Sequence, residues 1–186
     1  RLCTALDVHY VVQRVTVGGI AEEGLEAAAR RARYAALAAA LAPGDILLTA
    51  HHGDDQAETV LLQLLRGTGV AGLAAMPIQA VFGPGLIVRP LLGLSRAALH
   101  AYAREHQLAW IEDPSNRESH RRRSFLRMEI LPRLARHWPA YATLLARTAH
   151  HAAEAMGLLD EVAESDLAAC RQAVAHSPQA LSIKAL

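Results

Sequence analysis

The 186-residue sequence contains only two cysteines, Cys3 and Cys170, which lie far apart and form no Cys-x-x-Cys pair. This scarcity argues against a disulfide-stabilised scaffold, a zinc ribbon and an iron–sulfur site, and it fits a reducing compartment. No apolar run reaches the ~20 residues that a membrane-spanning helix needs, and no basic-then-apolar signal pattern opens the sequence. We therefore expect a cytoplasmic protein that does not enter a membrane.

The composition is that of a folded protein, because 52% of the residues are hydrophobic and 20% are charged. The length allows one domain and part of another. The net charge of +1 says little by itself, but the arginines are unevenly distributed. Arg121, Arg122, Arg123 and Arg127 form a basic cluster that is typical either of a solvated surface or of a site for phosphate groups.

Apolar periodicity predicts strands that alternate with helices. The predicted strands are residues 10–15, 45–49 and 86–88, with a further edge strand at 110–111. The predicted helices are residues 22–41, a helix beginning near residue 57, one from Ser95 to about Glu105, one at 124–136, and a long helix after Pro139; a turn is predicted at 113–116. The run at 45–49 is continuously apolar, which is typical of a buried parallel strand.

This order of elements predicts an α/β fold, with a parallel sheet and flanking helices, followed by the start of a helical domain. We place a partial catalytic domain at residues 1–137. Residues 138–186 are expected to form a helical linker and the beginning of a second domain.

Four polar residues follow the predicted strand at 45–49, namely His51, Asp54, Asp55 and Glu58. Ligands of open α/β sheets bind at the carboxyl ends of strands, so this cluster is a candidate site. Asp55 and Glu58 also have the spacing of a helix capping box, which is an equally good explanation of those two residues. If the first helical turn includes both His51 and Asp55, their side chains share one face, where a carboxylate can orient a histidine or hold Mg²⁺ near a phosphate.

Two other patterns have a functional and a purely structural interpretation. Arg30, Arg33 and Tyr34 lie on one helical face, which suits either solvent or a phosphate. His150 and His151 are adjacent and face apart on a helix, so we predict no metal site there or elsewhere.

Taken together, these segments resemble the tRNA(Ile)-lysidine synthase family of the N-type ATP pyrophosphatase superfamily. The similar segments, in family order, are residues 26–34 (EAAARRARY), 49–59 (TAHHGDDQAET), 65–73 (LRGTGVAGL), 89–92 (RPLL), 110–116 (WIEDPSN) and 123–127 (RSFLR) with 131–132 (LP). Each segment alone is modest, but their order and spacing are specific and cover nearly the whole chain.

The resemblance implies an N-type ATP pyrophosphatase fold, which is Rossmann-like, joined to tRNA-contacting domains. It also implies a two-step reaction on the wobble cytidine of an isoleucine tRNA with a CAU anticodon. ATP adenylates the C2 oxygen, then the ε-amino group of free L-lysine attacks C2 and AMP leaves. ATP and Mg²⁺ are the implied cofactors.

Carried over to this sequence, the resemblance implies that His51, Asp55, Glu58 and Arg123 are catalytic and that Arg30 and Arg33 bind the cofactor. The family's Ser-Gly-Gly-x-Asp-Ser loop is not among these 186 residues. We therefore expect the chain to be a fragment that binds ATP poorly by itself and is inactive alone. A homodimer is a further expectation, from an apolar face predicted on the last helix.

Three alternatives stay open at this point. One is a tRNA thiolation enzyme of the same superfamily, although those that act on cytidine carry paired cysteines. Another is a tRNA-binding remnant without catalysis. The third is an amidating synthetase for small molecules, which would need neither the basic cluster nor the trailing helices.

Overall fold

A computed structural model of the chain describes residues 2–111 and 122–172. The described residues form two compact units. The first runs to Thr49 and includes Gln79–Val88, and the second comprises Ala50–Ile78 and the described residues from Arg89 onward. Within these described ranges, no helix is both long and apolar enough to cross a membrane.

The first unit contains three helices and a three-stranded sheet. In chain order its elements are α1 (Leu2–Ala5), α2 (Ile20–Glu23), α3 (Leu25–Ala39), β1 (Ile46–Leu48), β2 (Gln79–Phe82) and β3 (Gly85–Val88). The long predicted helix at 22–41 is confirmed as α3, and Gly24, with a positive φ of 82°, separates it from α2. The aromatic ring of Tyr34 on α3 meets the ring of Phe82 edge-on, with 5.7 Å between the ring centroids.

The sheet has the order β1-β3-β2, so β3 is its central strand. Strand β1 pairs with β3 in parallel, with Leu47 opposite Ile87, which confirms the predicted parallel pairing of these segments. Strand β2 pairs with β3 in the antiparallel sense and makes the sheet mixed. The antiparallel strand β2 was not predicted, although two short apolar runs separated by Gly83, Pro84 and Gly85 are typical of a hairpin.

Two predictions about strands in this unit are wrong. Residues 10–15 form no strand, and Tyr10 is 69% exposed. β-propensity reflects packing against neighbouring strands, and no strand of the described residues pairs with this segment. Strand β1 was predicted to be buried, but Ile46 and Leu48 are exposed, since β1 has a described neighbour on one side only.

The second unit is helical. In chain order its elements are α4 (Gly53–Leu64), α5 (Val70–Leu73), α6 (Arg96–Glu105), α7 (Arg122–Phe125), a π-helical turn (Leu126–Ile130), α8 (Leu131–His137) and α9 (Tyr141–Gln172). The helices predicted near residue 57, after Ser95, at 124–136 and after Pro139 are confirmed. Ser95 caps α6 as predicted, because its hydroxyl accepts a hydrogen bond from the Ala98 amide.

Helix α4 lies at the centre of this unit, and α9 packs on α4 and α5. Ala57 and Val60 are almost fully buried. Gly53 begins the helix with its N–H on the Leu94 carbonyl, and a Cβ there would lie 3.1 Å from that oxygen. This close approach favours glycine and fixes the start of α4 beside the segment that precedes α6.

Three further predictions concern the chain after α6. Residues 110–111 were predicted as an edge strand, but they form no strand, and Ile111 is 96% exposed. A two-residue apolar run is too short to specify a strand without a neighbouring strand to pair with. The turn at 113–116 lies outside the described residues, and the domain boundary at 137/138 stays a prediction.

Candidate functional site

Three carboxylates stand on the first two turns of α4, those of Asp54, Asp55 and Glu58. The helix begins one residue after His52, whose backbone is extended, so the acidic residues occupy its N-terminal turns. Carboxylates are stabilised at this end of a helix by the unpaired N–H groups of the first turn. Each of the three meets a different set of partners in the second unit.

Glu58 makes a bidentate ion pair with Arg127 of the π-helical turn. The Arg127 Nε donates to Glu58 Oε1 at 2.7 Å, and Nη2 donates to Oε2 at 2.9 Å. The Glu58 side chain is only 1% exposed. The hydrogen bond to Glu58 is the main cause of the raised pKa of Arg127, and burial opposes it. Arg127 therefore stays cationic, and the pair connects residues 69 positions apart in the sequence.

Asp55 is held from two sides. Its Oδ2 accepts a hydrogen bond from the His52 backbone N–H at 3.1 Å and lies 3.5 Å from His52 Nε2. Its Oδ1 lies 3.4 Å from Arg127 Nη2. Asp55 is thus the acidic partner in the capping of α4, three residues after the N-cap, as in a capping box.

Asp54 faces the other helices of the unit. Its Oδ2 accepts from the backbone N–H of Arg96 at 2.7 Å, at the start of α6. Its Oδ1 accepts from the Tyr141 hydroxyl of α9 at 3.4 Å. Burial, and then the charge of Asp54, raise the pKa of the Tyr141 phenol. One carboxylate therefore connects α4, α6 and α9.

A pocket of about 180 Å³ opens beside these groups. Its lining combines charged and polar side chains with apolar ones from α8. The lining residues are Asp54, Glu58, Arg96, Arg127, Leu131, Pro132, Ala135 and Tyr141. The mixture of two carboxylates and two arginines suits a small ligand that carries both signs of charge.

Arg123 contacts α4 at Thr59, one turn after Asp55. Its Nη2 donates to Thr59 Oγ1 at 3.3 Å, and that hydroxyl donates in turn to the Asp55 carbonyl at 2.8 Å. The structure therefore brings three of the predicted catalytic residues, Asp55, Glu58 and Arg123, to neighbouring positions along α4.

The condition for a shared face of His51 and Asp55, that both lie in the first helical turn, is not met. The helix begins at Gly53, so His51 precedes the N-cap and is not in the first turn. His52, the N-cap, lies beside the acidic residues, with Nδ1 at 3.8 Å from Asp54 Oδ2. The N-terminus lies earlier than an Asp55 cap would place it, because Gly53 bonds to Leu94, a contact that local spacing does not reveal.

Arg30 and Arg33 belong to the first unit. Their guanidinium carbons lie 4.6 Å and 5.5 Å from the centre of the Tyr34 ring, both within the range of cation–π contacts. The predicted common face of these three residues is confirmed. Their role in binding ATP stays a prediction.

Sequence reasoning missed several residues of the site, among them Arg127 and Tyr141. Arg127 was assigned only to the basic cluster, and Tyr141 only to the apolar face of a helix. The spacing of four between Arg123 and Arg127 in a helical segment was an available signal, because it places both on one side. No local signal pointed to Tyr141, whose contact with Asp54 spans 87 residues.

A protein-only metal site is not present in the described parts of the chain, where no group of three or more His, Cys, Asp or Glu side chains could hold an ion. The carboxylates of Asp55 and Glu58 face the Arg127 guanidinium instead. The described donor set therefore does not fit a resident Mg²⁺.

Comparison with known proteins gives a consistent result. A family model described as a PP-loop domain matches residues 1–134. A tRNA(Ile)-lysidine synthase from Methylococcus capsulatus is 54% identical over 93% of this chain and 38% of its own length. Proteins of the same name from Pseudomonas aeruginosa and Coxiella burnetii are 53% and 48% identical over 92% and 90% of this chain. The chain thus spans well under half the length of these curated relatives.

Proposed function

Because the chain belongs to the PP-loop domain family of ATP-binding domains, we propose that it is part of a tRNA(Ile)-lysidine synthase. The observation that carries the proposal is the identity of about half the residues with proteins of that name over nine-tenths of the chain. A second support comes from the acidic side chains of α4 and the arginines that contact this helix. The proposed reaction involves both anionic and cationic groups.

The proposed reaction joins lysine to a cytidine of tRNA in two steps. In the first step the C2 oxygen of the wobble cytidine attacks the α-phosphorus of ATP, and diphosphate leaves. The oxygen becomes part of an adenylate, which makes it a good leaving group. In the second step the ε-amino group of free L-lysine attacks C2, the C2–O bond breaks, AMP leaves, and the nitrogen loses its proton.

Asp55 is the residue that we assign to the second step. An attacking lysine must arrive as an ammonium ion and react as an amine, so a carboxylate can first orient it and then accept its proton. Asp55 stands at the N-terminus of a helix, with each oxygen beside a donor, which supports a fixed orientation. His51 is proposed to assist at the same centre.

The arginines are assigned to the phosphates. Arg123, close to Asp55 through Thr59, is proposed to offset the negative charge that develops on the leaving AMP. Arg30 and Arg33 are proposed to bind ATP, and the Tyr34 ring supports their guanidinium groups. We assign no step to a protein-bound Mg²⁺; the ion would enter with the ATP phosphates.

Glu58 was predicted to be catalytic, and we propose a different role for it. The side chain is 1% exposed, and both of its oxygens are engaged by Arg127. A general base must reach the proton that it abstracts. Glu58 is therefore proposed to act indirectly, through Arg127.

The test is incorporation of labelled lysine into an isoleucine tRNA with a CAU anticodon by the natural full-length protein, with ATP and Mg²⁺. Diphosphate release is measured in the same samples, so that adenylation and lysine transfer are seen separately. Asp55→Asn should keep diphosphate release and lose lysine incorporation, and its circular dichroism should match the wild type. Sulfur transfer to the tRNA, or tRNA binding with neither signal, would instead support a thiolation enzyme or a tRNA-binding remnant.

A further inference from the structure

We propose that Arg127 is a positioning residue for lysine transfer, which holds the Asp55 carboxylate in place from an anchor on the buried Glu58. The proposal rests on the proposed function and adds a role that neither the family match nor the sequence assigns. All three residues lie in the second unit.

Arg127 is anchored by its ion pair with Glu58. Two hydrogen bonds, of 2.7 Å and 2.9 Å, join one edge of the Arg127 guanidinium to both oxygens of Glu58. A bidentate pair fixes the plane of the guanidinium as well as its distance. Since Glu58 is 1% exposed, water does not compete for those oxygens. The orientation of Arg127 is therefore set by the core of the unit.

The anchored guanidinium then reaches Asp55. Its Nη2, already bonded to Glu58, has a second N–H and lies 3.4 Å from Asp55 Oδ1. The other Asp55 oxygen accepts from the His52 N–H at 3.1 Å. With a donor beside each oxygen, the carboxylate has one favoured orientation; without Arg127, Oδ1 would lose this donor, and the contacts of Oδ2 with the His52 backbone and ring would remain.

The backbone conformation supports this placement. Arg127 lies in the π-helical turn Leu126–Ile130, and such turns occur often at functional sites. Pro132 follows the turn and has no N–H to donate to the carbonyl four residues before it, which favours a departure from α-helical bonding. Arg123 and Arg127 thereby both reach α4, at Thr59 and Glu58.

The decisive experiment is a double-mutant cycle between Arg127 and Asp55 in the natural full-length protein. Lysine transfer is measured at saturating tRNA and ATP for the wild type, Arg127→Met, Asp55→Glu and the double variant. Asp55→Glu is used because it retains a carboxylate, so we expect it to keep enough activity for the comparison. We expect Arg127→Met to lower kcat by about 10–100-fold, as supporting residues around active groups commonly do, with little change in the KM for lysine.

The double variant separates positioning from general stability. In the Asp55→Glu background, where the carboxylate is already displaced, Arg127→Met should lower kcat by less than about threefold. The effects of residues that act through one another are not additive. If Arg127 had only a structural role, the loss of kcat in the double variant would equal the product of the two single losses. Arg127→Lys keeps the charge without the bidentate geometry, so we expect it to restore only part of kcat. Arg133→Met removes a matched but exposed Arg–Glu pair, with Glu129, and should behave as the wild type.

Three results would overturn the proposal. They are equal losses in both Asp55 backgrounds, an unchanged kcat in Arg127→Met, and a raised KM for lysine with kcat retained, which would indicate direct contact with the substrate. If Arg127→Met does not fold, Glu58→Gln serves in the same cycle, since it weakens the anchor and keeps its shape. A wild-type protein that incorporates no lysine would instead contradict the proposed function itself.

Discussion

The hydroxyl of Tyr141 lies 3.4 Å from Asp54 Oδ1, so the first residue of the long helix α9 contributes a side chain to the pocket beside α4. Burial and the neighbouring carboxylate both favour the neutral phenol, and they raise its pKa. The same carboxylate accepts the backbone N–H of Arg96. The contact therefore links the ionisation of a tyrosine to the packing of three helices.

This link predicts a loss of stability at alkaline pH that depends on Tyr141. The unfolded chain releases the phenol proton near pH ~10, whereas the folded chain holds it to higher pH. The contribution is complete below the unfolded pKa and is lost as the pH rises through the folded one. Tyr141→Phe should therefore show a shallower fall in melting temperature above pH ~10. Tyr10→Phe, at an exposed residue, is the control; equal slopes in all three proteins would refute the link.

Glu58 should matter for stability far more than an exposed carboxylate. Glu58→Ala leaves the Arg127 guanidinium without its bidentate partner; because that guanidinium is part-exposed and keeps Asp55 beside it, the loss should be about 1–3 kcal/mol, below the cost of a fully buried unpaired charge. Glu129→Ala breaks an exposed Arg–Glu pair, with Arg133, and should cost less than about 1 kcal/mol. Urea unfolding followed by circular dichroism measures both. Similar losses of unfolding free energy for the two variants would show that the Glu58–Arg127 pair stabilises the fold no more than an exposed pair does.

Replacing Gly85 by a larger residue should destabilise the sheet, because an added side chain would clash with the backbone of Asp45. A Cβ at Gly85 would overlap the carbonyl oxygen of Asp45, which also accepts the Leu86 N–H at 3.0 Å. Gly85→Ala should destabilise the protein by about 1–3 kcal/mol, because β1 and β3 must move apart locally. Gly93→Ala is the matched control, since no atom lies within 4 Å of its added methyl group. A stable Gly85→Ala variant would contradict the described register.

The helices could be predicted because their signals are local. The apolar spacing that includes Ala57 and Val60 and the cap at Ser95 each involve residues within one or two helical turns. The strands were less predictable, because a strand depends on its neighbours: residues 10–15 have high β-propensity and no described pairing partner. Within the site, local sequence suggested the acidic residues of α4.

What local sequence could not provide was the set of long-range partners. Arg127 meets Glu58 across 69 residues, and Tyr141 meets Asp54 across 87. The start of α4 also lies earlier than the Asp55–Glu58 spacing suggested, because it depends on the contact between Gly53 and Leu94. Contacts of this kind come from tertiary packing, which a single sequence does not encode in its spacing.

The most direct test of the account is the mass of the wobble nucleoside. An isoleucine tRNA with a CAU anticodon is incubated with the natural full-length protein, ATP, Mg²⁺ and lysine, then digested to nucleosides and analysed by mass spectrometry. We predict a nucleoside with the mass of cytidine plus one lysine minus one water, absent when ATP or lysine is omitted. Unmodified cytidine, or a product in which sulfur replaces oxygen, would contradict the proposed function.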